Sequence, residues 1–167
     1  MIDVHAHLGR VLRGVPALTP AKLLRIMDRY GIEKAVILPL ENPEEEHYYY
    51  TTDQALRDCR RHPDRLIPFV NVDPRRGSND GTFDFYPLLA EYKERGCRGY
   101  GEILCGLPTN DVRLKAVYRA CGALGLPVLF DFRWRGGVGV QEPLGLPYLE
   151  EILREFPRTA FIGHGPA

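Results

Sequence analysis

The chain has 167 residues, of which 22 are Lys or Arg and 22 are Asp or Glu, so its formal net charge is zero. That length buries one core and makes one domain, residues 1–167, while the balanced charge argues against a nucleic-acid or membrane-surface partner. The apolar runs are of strand length, no basic and apolar leader opens the chain, and the four cysteines form no CxxC pair; the expectation is a cytoplasmic protein with reduced, buried thiols.

The first element, Ile2–His7, is a short apolar run carrying two histidines two residues apart. In a strand, residues i and i+2 share a face, so His5 and His7 project together with Asp3 one step deeper. A helix follows Thr19-Pro20, with Leu23, Ile26, Met27 and Tyr30 on one stripe and Gly31 as its stop. Lys34–Pro39 reads as the second strand, 52–61 as a helix and Leu66–Asn71 as the third strand, although Pro68 conflicts with a central strand. A helix over 87–95 precedes the fourth strand, Arg98–Ile103. A helix with Leu114, Val117, Tyr118 and Cys121 on one face, capped by Asn110 or Asp111, precedes the fifth, Pro127–Asp131. A helix between Pro147 and Pro157 leads to the sixth, Thr159–His164.

The six strand-like runs recur about every 32 residues, the mark of a repeated supersecondary unit. Strand alternating with helix predicts parallel βαβ units. The fold class expected is α/β, an incomplete (β/α)8 barrel of about six βα units. Two more units would bring the chain near the roughly 250 residues of a full barrel, so the sequence looks like its first three quarters. A doubly wound open sheet is the competing architecture, although no GxGxxG follows the first strand.

Ligand-type residues fall at the C-terminal ends of these strands, where barrel active sites lie. They are His5 and His7 on the first strand, Glu102 on the fourth, Asp131 on the fifth and His164 on the sixth. Each has an ordinary alternative: a surface or core imidazole for the histidines, a salt bridge for Glu102, and a turn cap for Asp131, which Arg133 and Arg135 follow. The joint pattern points to a metal site. His47 and His62 sit in helical or loop context, and His62 is assigned to a helix end before Pro63. The loop Asp131–Gly139, with Arg133, Trp134 and Arg135, falls on the same face, so Arg133 and Arg135 are candidates to fork onto a substrate carboxylate; a plain surface loop is the alternative.

IDVHAH (2–7), RLIPFVNVDP (65–74), GYGE (99–102), GLPVLFDF (125–132) and FPRTAFIGHGP (156–166) together resemble the amidohydrolase superfamily, in its amidohydrolase-related branch that includes zinc-dependent decarboxylases. The resemblance implies first-strand metal ligands at His5 and His7, a bridging carboxylate at Glu102, and at His164 a metal ligand or a catalytic, substrate-contacting group. Asp131 stands where the family usually has a histidine, which makes the site harder and admits manganese or magnesium beside zinc. The family's last-strand aspartate, a metal ligand and general base, has no counterpart in this chain. The activity implied is metal-dependent hydrolysis of a small carboxylate-bearing or cyclic amide- or ester-like substrate by metal-activated water. The alternatives are non-oxidative decarboxylation of an aromatic acid, and a truncated, inactive barrel piece whose open first and sixth strands favour self-association into a homo-oligomer.

Overall fold

The computed structural model describes residues 1–10, 16–44, 49–133 and 138–165. Its elements run β1 (Ile2–Ala6), α1 (Pro20–Tyr30), β2 (Lys34–Ile37), α2 (Thr52–Cys59), β3 (Leu66–Pro68), α3 (Tyr86–Glu94), β4 (Tyr100–Ile103), α4 (Val112–Leu124), β5 (Val128–Arg133), β6 (Val140–Gln141), α5 (Pro147–Glu155) and β7 (Phe161–His164). β1, β2 and β3 pair in parallel, as do β4, β5 and β7. A parallel bridge from Val70 to Tyr100 joins the two groups, so six strands form one arc in the order β1-β2-β3-β4-β5-β7. This is the arrangement of an incomplete (β/α)8 barrel, with its helices on the outer side.

Local chemistry sets the helix limits. The Thr19 side chain accepts from the Lys22 amide, Pro20 opens α1, and Gly31 in the left-handed region ends it. α2 starts in a capping box, with Thr51 accepting from the Gln54 amide and Gln54 from the Thr51 amide. Asp111, one of the two expected caps, accepts from the Arg113 amide at the start of α4. α5 has no cap from Leu146, and the buried Glu142 carboxylate takes the Tyr148 amide instead, at 2.9 Å.

Two layers of core follow from the strand alternation. Val36, Leu38, Phe69 and Leu129, with Ile67 and Ile162, fill the inside of the arc. Leu23, Met27, Ala35, Ile37, Ala55 and Leu66 pack α1 and α2 against the outer face of β1–β3. Tyr118, Phe130, Phe156 and Phe161 anchor the outer layer over β5 and β7 through mutual edge and stacked contacts.

The conflict at Pro68 resolves in the register. Its carbonyl accepts from the Arg98 amide, so its ring nitrogen faces the same side, at a level before β4 begins. The missing donor costs the ladder nothing there, and Phe69 resumes pairing by donating to the Ile37 carbonyl. The stretch after Asp131 departs from expectation. β5 continues to Arg133, so Asp131 lies inside the strand rather than opening a loop. β6, absent from the sequence reading, slots between the segment after β4 and the end of β5, pairing Val140 with Phe132 and Gln141 with both Arg133 and Pro108. Two residues carry too little pattern to announce a strand. Among the described residues, no helix is long and apolar enough to cross a membrane.

Candidate metal centre

The C-terminal ends of β1, β4, β5 and β7 converge. Glu102 is almost wholly buried and sits at the centre: its Oε2 lies 3.0 Å from His5 Nε2 and 3.1 Å from His7 Nε2. His164 Nδ1 is 3.4 Å from Glu102 Oε1 and 3.7 Å from Asp131 Oδ1. The His5 and His164 rings stack with centroids 4.0 Å apart, and His7 meets His5 edge-on at 4.9 Å. His5, Glu102 and His164 each offer a ligand atom within 4.8 Å of the others. All five side chains named from the sequence therefore gather in one place.

The backbone makes room for this convergence. Gly101 has φ +126°, and a Cβ on it would stand 2.5 Å from the Leu129 carbonyl oxygen. Only glycine lets β4 approach β5 closely enough to aim Glu102 inward. On β1, the His5 amide donates to Asp3 Oδ1 at 3.0 Å, which ties the strand end.

Proton accounting shows what the cluster lacks. His7 Nδ1 lies 3.0 Å from the Leu38 carbonyl oxygen, a pure acceptor, so Nδ1 carries the hydrogen. In the neutral ring Nε2 is then a lone pair, and it faces the Glu102 carboxylate, another acceptor. The approach is repulsive unless a proton or a cation lies there. A ring N–H held by a backbone carbonyl is also the arrangement that orients metal-binding imidazoles. Among the described residues, Asp131 Oδ1 is buried with no hydrogen-bond partner, a second unmet demand for positive charge. Imidazole nitrogens with carboxylate oxygens suit zinc and also manganese. The residues present thus fit a divalent metal.

The electrostatics separate the two carboxylates. Burial opposes ionisation of Glu102, but where a proton sits on each facing Nε2, hydrogen bonds from His5 and His7 outweigh it and hold the carboxyl down at about 2. The same bond to Glu102 raises His5 above the ordinary imidazole value, against the effect of its own burial. Asp131 moves the other way, raised by burial and by the Glu102 charge, with Arg133 only partly compensating.

Arg133 Nη2 lies 2.7 Å from Asp131 Oδ2, so the structure places this arginine on the site's own carboxylate. Trp134, Arg135 and His47 lie outside the described residues. His62 closes the last turn of α2, its backbone amide donating to the Cys59 carbonyl. The cysteines are all free and buried, and burial pushes the thiols of Cys59, Cys97 and Cys105 up to about 12.

Sequence reasoning missed the layer behind the ligands. Asn71, at the end of the third strand-like run, is buried and donates from Nδ2 to the Glu102 backbone carbonyl at 2.7 Å. Asn42 Oδ1 accepts from the Leu104 amide at 3.0 Å, and its Nδ2 donates to Asp73 Oδ2. Asp73 and Glu44 together grip Arg75 through all three guanidinium nitrogens. The available signal was a pair of polar residues, Asn71 and Asp73, closing a run of apolar ones on the functional face.

No protein-family model and no curated protein matches the chain. Solved structures do. A probable 2-pyrone-4,6-dicarboxylic acid hydrolase from Acinetobacter baumannii superposes with TM-score 0.61 at 18% identity, covering 98% of this chain and 57% of that one. A 2,6-dihydroxybenzoate decarboxylase from Rhizobium gives 0.63 at 15%, covering 97% and 65%. A 5-carboxyvanillate decarboxylase from Novosphingobium aromaticivorans, complexed with manganese and 4-hydroxy-3-methoxy-5-nitrobenzoic acid, gives 0.57 at 17%, covering 87% and 49%. The likeness is one of fold: the chain shares the TIM-barrel architecture of these hydrolases and decarboxylases over 49–65% of their length.

Proposed function

We propose that the chain carries the metal-binding part of a divalent-metal-dependent hydrolase acting on a small carboxylate-bearing or cyclic amide- or ester-like substrate. The observation that carries this reading is His7, whose Nδ1 is committed to the Leu38 carbonyl and whose Nε2 faces the Glu102 carboxylate at 3.1 Å. His5, His7 and Glu102 would hold the metal, with Asp131 Oδ1 as a further oxygen donor. When bound, the metal supplies a water acidified toward neutral pH and a Lewis acid for the scissile carbonyl. His164 is the most exposed of the three clustered imidazoles, its side chain 44% accessible, and is the group placed to meet substrate and steady the charge that develops on it. Arg133 holds Asp131 through one nitrogen, which leaves further N–H donors of its fork for a substrate carboxylate. Zinc is the first choice of metal and manganese the second.

Decarboxylation of an aromatic acid is the second reading. Its support is the likeness to two decarboxylases, one of them complexed with manganese and an aromatic acid. The test begins with metal content. The protein should take up zinc or manganese in stoichiometric amount, and a His5→Ala, His7→Ala double variant that keeps its fold should not; full uptake by that variant would sink the assignment. Lactone and cyclic amide carboxylates are then assayed for ring opening, and 2-hydroxybenzoates for released carbon dioxide, so that each reading has its own product.

A further inference from the structure

The strongest feature outside the metal centre lies at the opposite end of the strands. A cavity of about 870 Å³ opens over β3, between α2 and α3. α2 rests on β3 while α3 leans on α4, and the cleft lies between them. An ion pair between Asp53 on α2 and Arg95 just after α3 straddles the gap. The floor is apolar, formed by Leu56 and Leu66. Its rim is cationic. Lys34, Arg57, Arg60 and Arg98 come from three different segments to line it, and none has a carboxylate partner among the described residues. The one acidic group in the lining, Asp53, is already engaged by Arg95.

Four cations at one mouth with no carboxylate partner among the described residues are conspicuous in a chain of zero net charge. Like charges gathered at one mouth repel one another, and a bound anion removes that repulsion. Guanidinium forks along one rim suit a phosphate, and the apolar floor suits a ring. The volume lies in the range of small-molecule sites and is far below what a folded partner would occupy. We infer that this cleft is a second binding site, for an organic phosphate with an apolar or aromatic ring body, of aryl phosphate to mononucleotide size. Its ligand need not reach the metal centre, because the two sites open at opposite ends of the same strands.

The test is isothermal titration of the metal-stripped, desalted protein with 1-naphthyl phosphate. One equivalent should bind. Reversing two rim charges with Arg57→Glu and Arg98→Glu, both exposed positions, should weaken binding at least about tenfold, since each charge-assisted contact contributes about that factor. Arg60→Gln alone, a milder change, should weaken it severalfold and covers the case in which the double variant fails to fold. His5→Ala with His7→Ala should leave the affinity unchanged, which separates this site from the metal centre. Inorganic phosphate and 1-naphthol should each bind more weakly than the conjugate. Wild-type affinity in a folded rim variant, loss of binding in the histidine variant, equal affinity for inorganic phosphate, or no binding at millimolar probe would each overturn the inference.

Discussion

Asn71→Ala isolates the support behind Glu102. The Asn71 Nδ2 group has two hydrogens and three acceptors within reach: the Glu102 carbonyl at 2.7 Å, the Pro39 carbonyl at 3.2 Å and Asn42 Oδ1 at 3.3 Å. One hydrogen belongs to Glu102 by distance, and the other is shared. Truncation therefore removes two full bonds, about 1 kcal/mol each, and leaves buried carbonyls dry, about 1–3 kcal/mol more. One credit offsets this. Asn71 Oδ1 is itself buried without a partner among the described residues, and alanine removes that burden, of similar size to one bond. The balance is a loss of about 2–4 kcal/mol, or roughly 4–16 °C in Tm for a chain of this size. Asn71→Asp is the sharper variant: it keeps the shape, deletes both donors and sets a carboxylate against the Glu102 carbonyl, so it should fall below Asn71→Ala. Urea denaturation of the three proteins gives the order directly. An Asn71→Asp variant as stable as Asn71→Ala, or an alanine variant within about 0.5 kcal/mol of wild type, would refute the reasoning.

Further outcomes follow from other sites. Gly101→Ala places a Cβ 2.5 Å from the Leu129 carbonyl and forces a residue with a side chain to φ +126°; overpacking and strain together should cost about 3 kcal/mol or more, read as a lowered urea midpoint. Thr51→Ala removes the side-chain half of the α2 capping box, the hydroxyl that accepts from the Gln54 amide, and should cost about 0.5–2 kcal/mol by the same measurement. Asp73 is partly buried, which raises its pKa, but hydrogen bonds from Arg75 and Asn42 lower it below the ordinary carboxylate value on balance. Its folded value being the lower one, the stability it contributes is present above the unfolded value of about 3.9 and is lost as pH falls through the folded value. Asp73→Asn should flatten the acid side of the stability profile there, and an unchanged slope would count against this network.

Much of the site was legible because its signals are local. The HxH spacing on an apolar run sets two imidazoles on one face wherever that run becomes a strand. The roughly constant repeat then told which ends of the other strands would join it, which brought Glu102, Asp131 and His164 to the same place. What stayed hidden was non-local or too short. Asn71 earns its role from a carbonyl on the next strand, and Glu142 caps α5 from outside the helix, so neither has a spacing rule. β6 is two residues long, and its stretch read as loop because glycines and arginines dominate it. Pro68 looked like an objection to β3 only while the position of its neighbour was unknown.

The stacking of His5 on His164 joins the two strands that border the arc, and His5 meets Glu102 across 97 residues of chain. Contacts of such separation form only after the intervening loops have been ordered, since the entropy of closing them is lost before the contact repays it. The ligand cluster is therefore expected among the last parts of the molecule to form during folding. Helices such as α4 can give their circular dichroism signal in a collapsed chain whose arc is still unclosed, and that chain would have no ligand cluster. Metal uptake during refolding should lag the helical signal, which would make it a clock for closure of the arc.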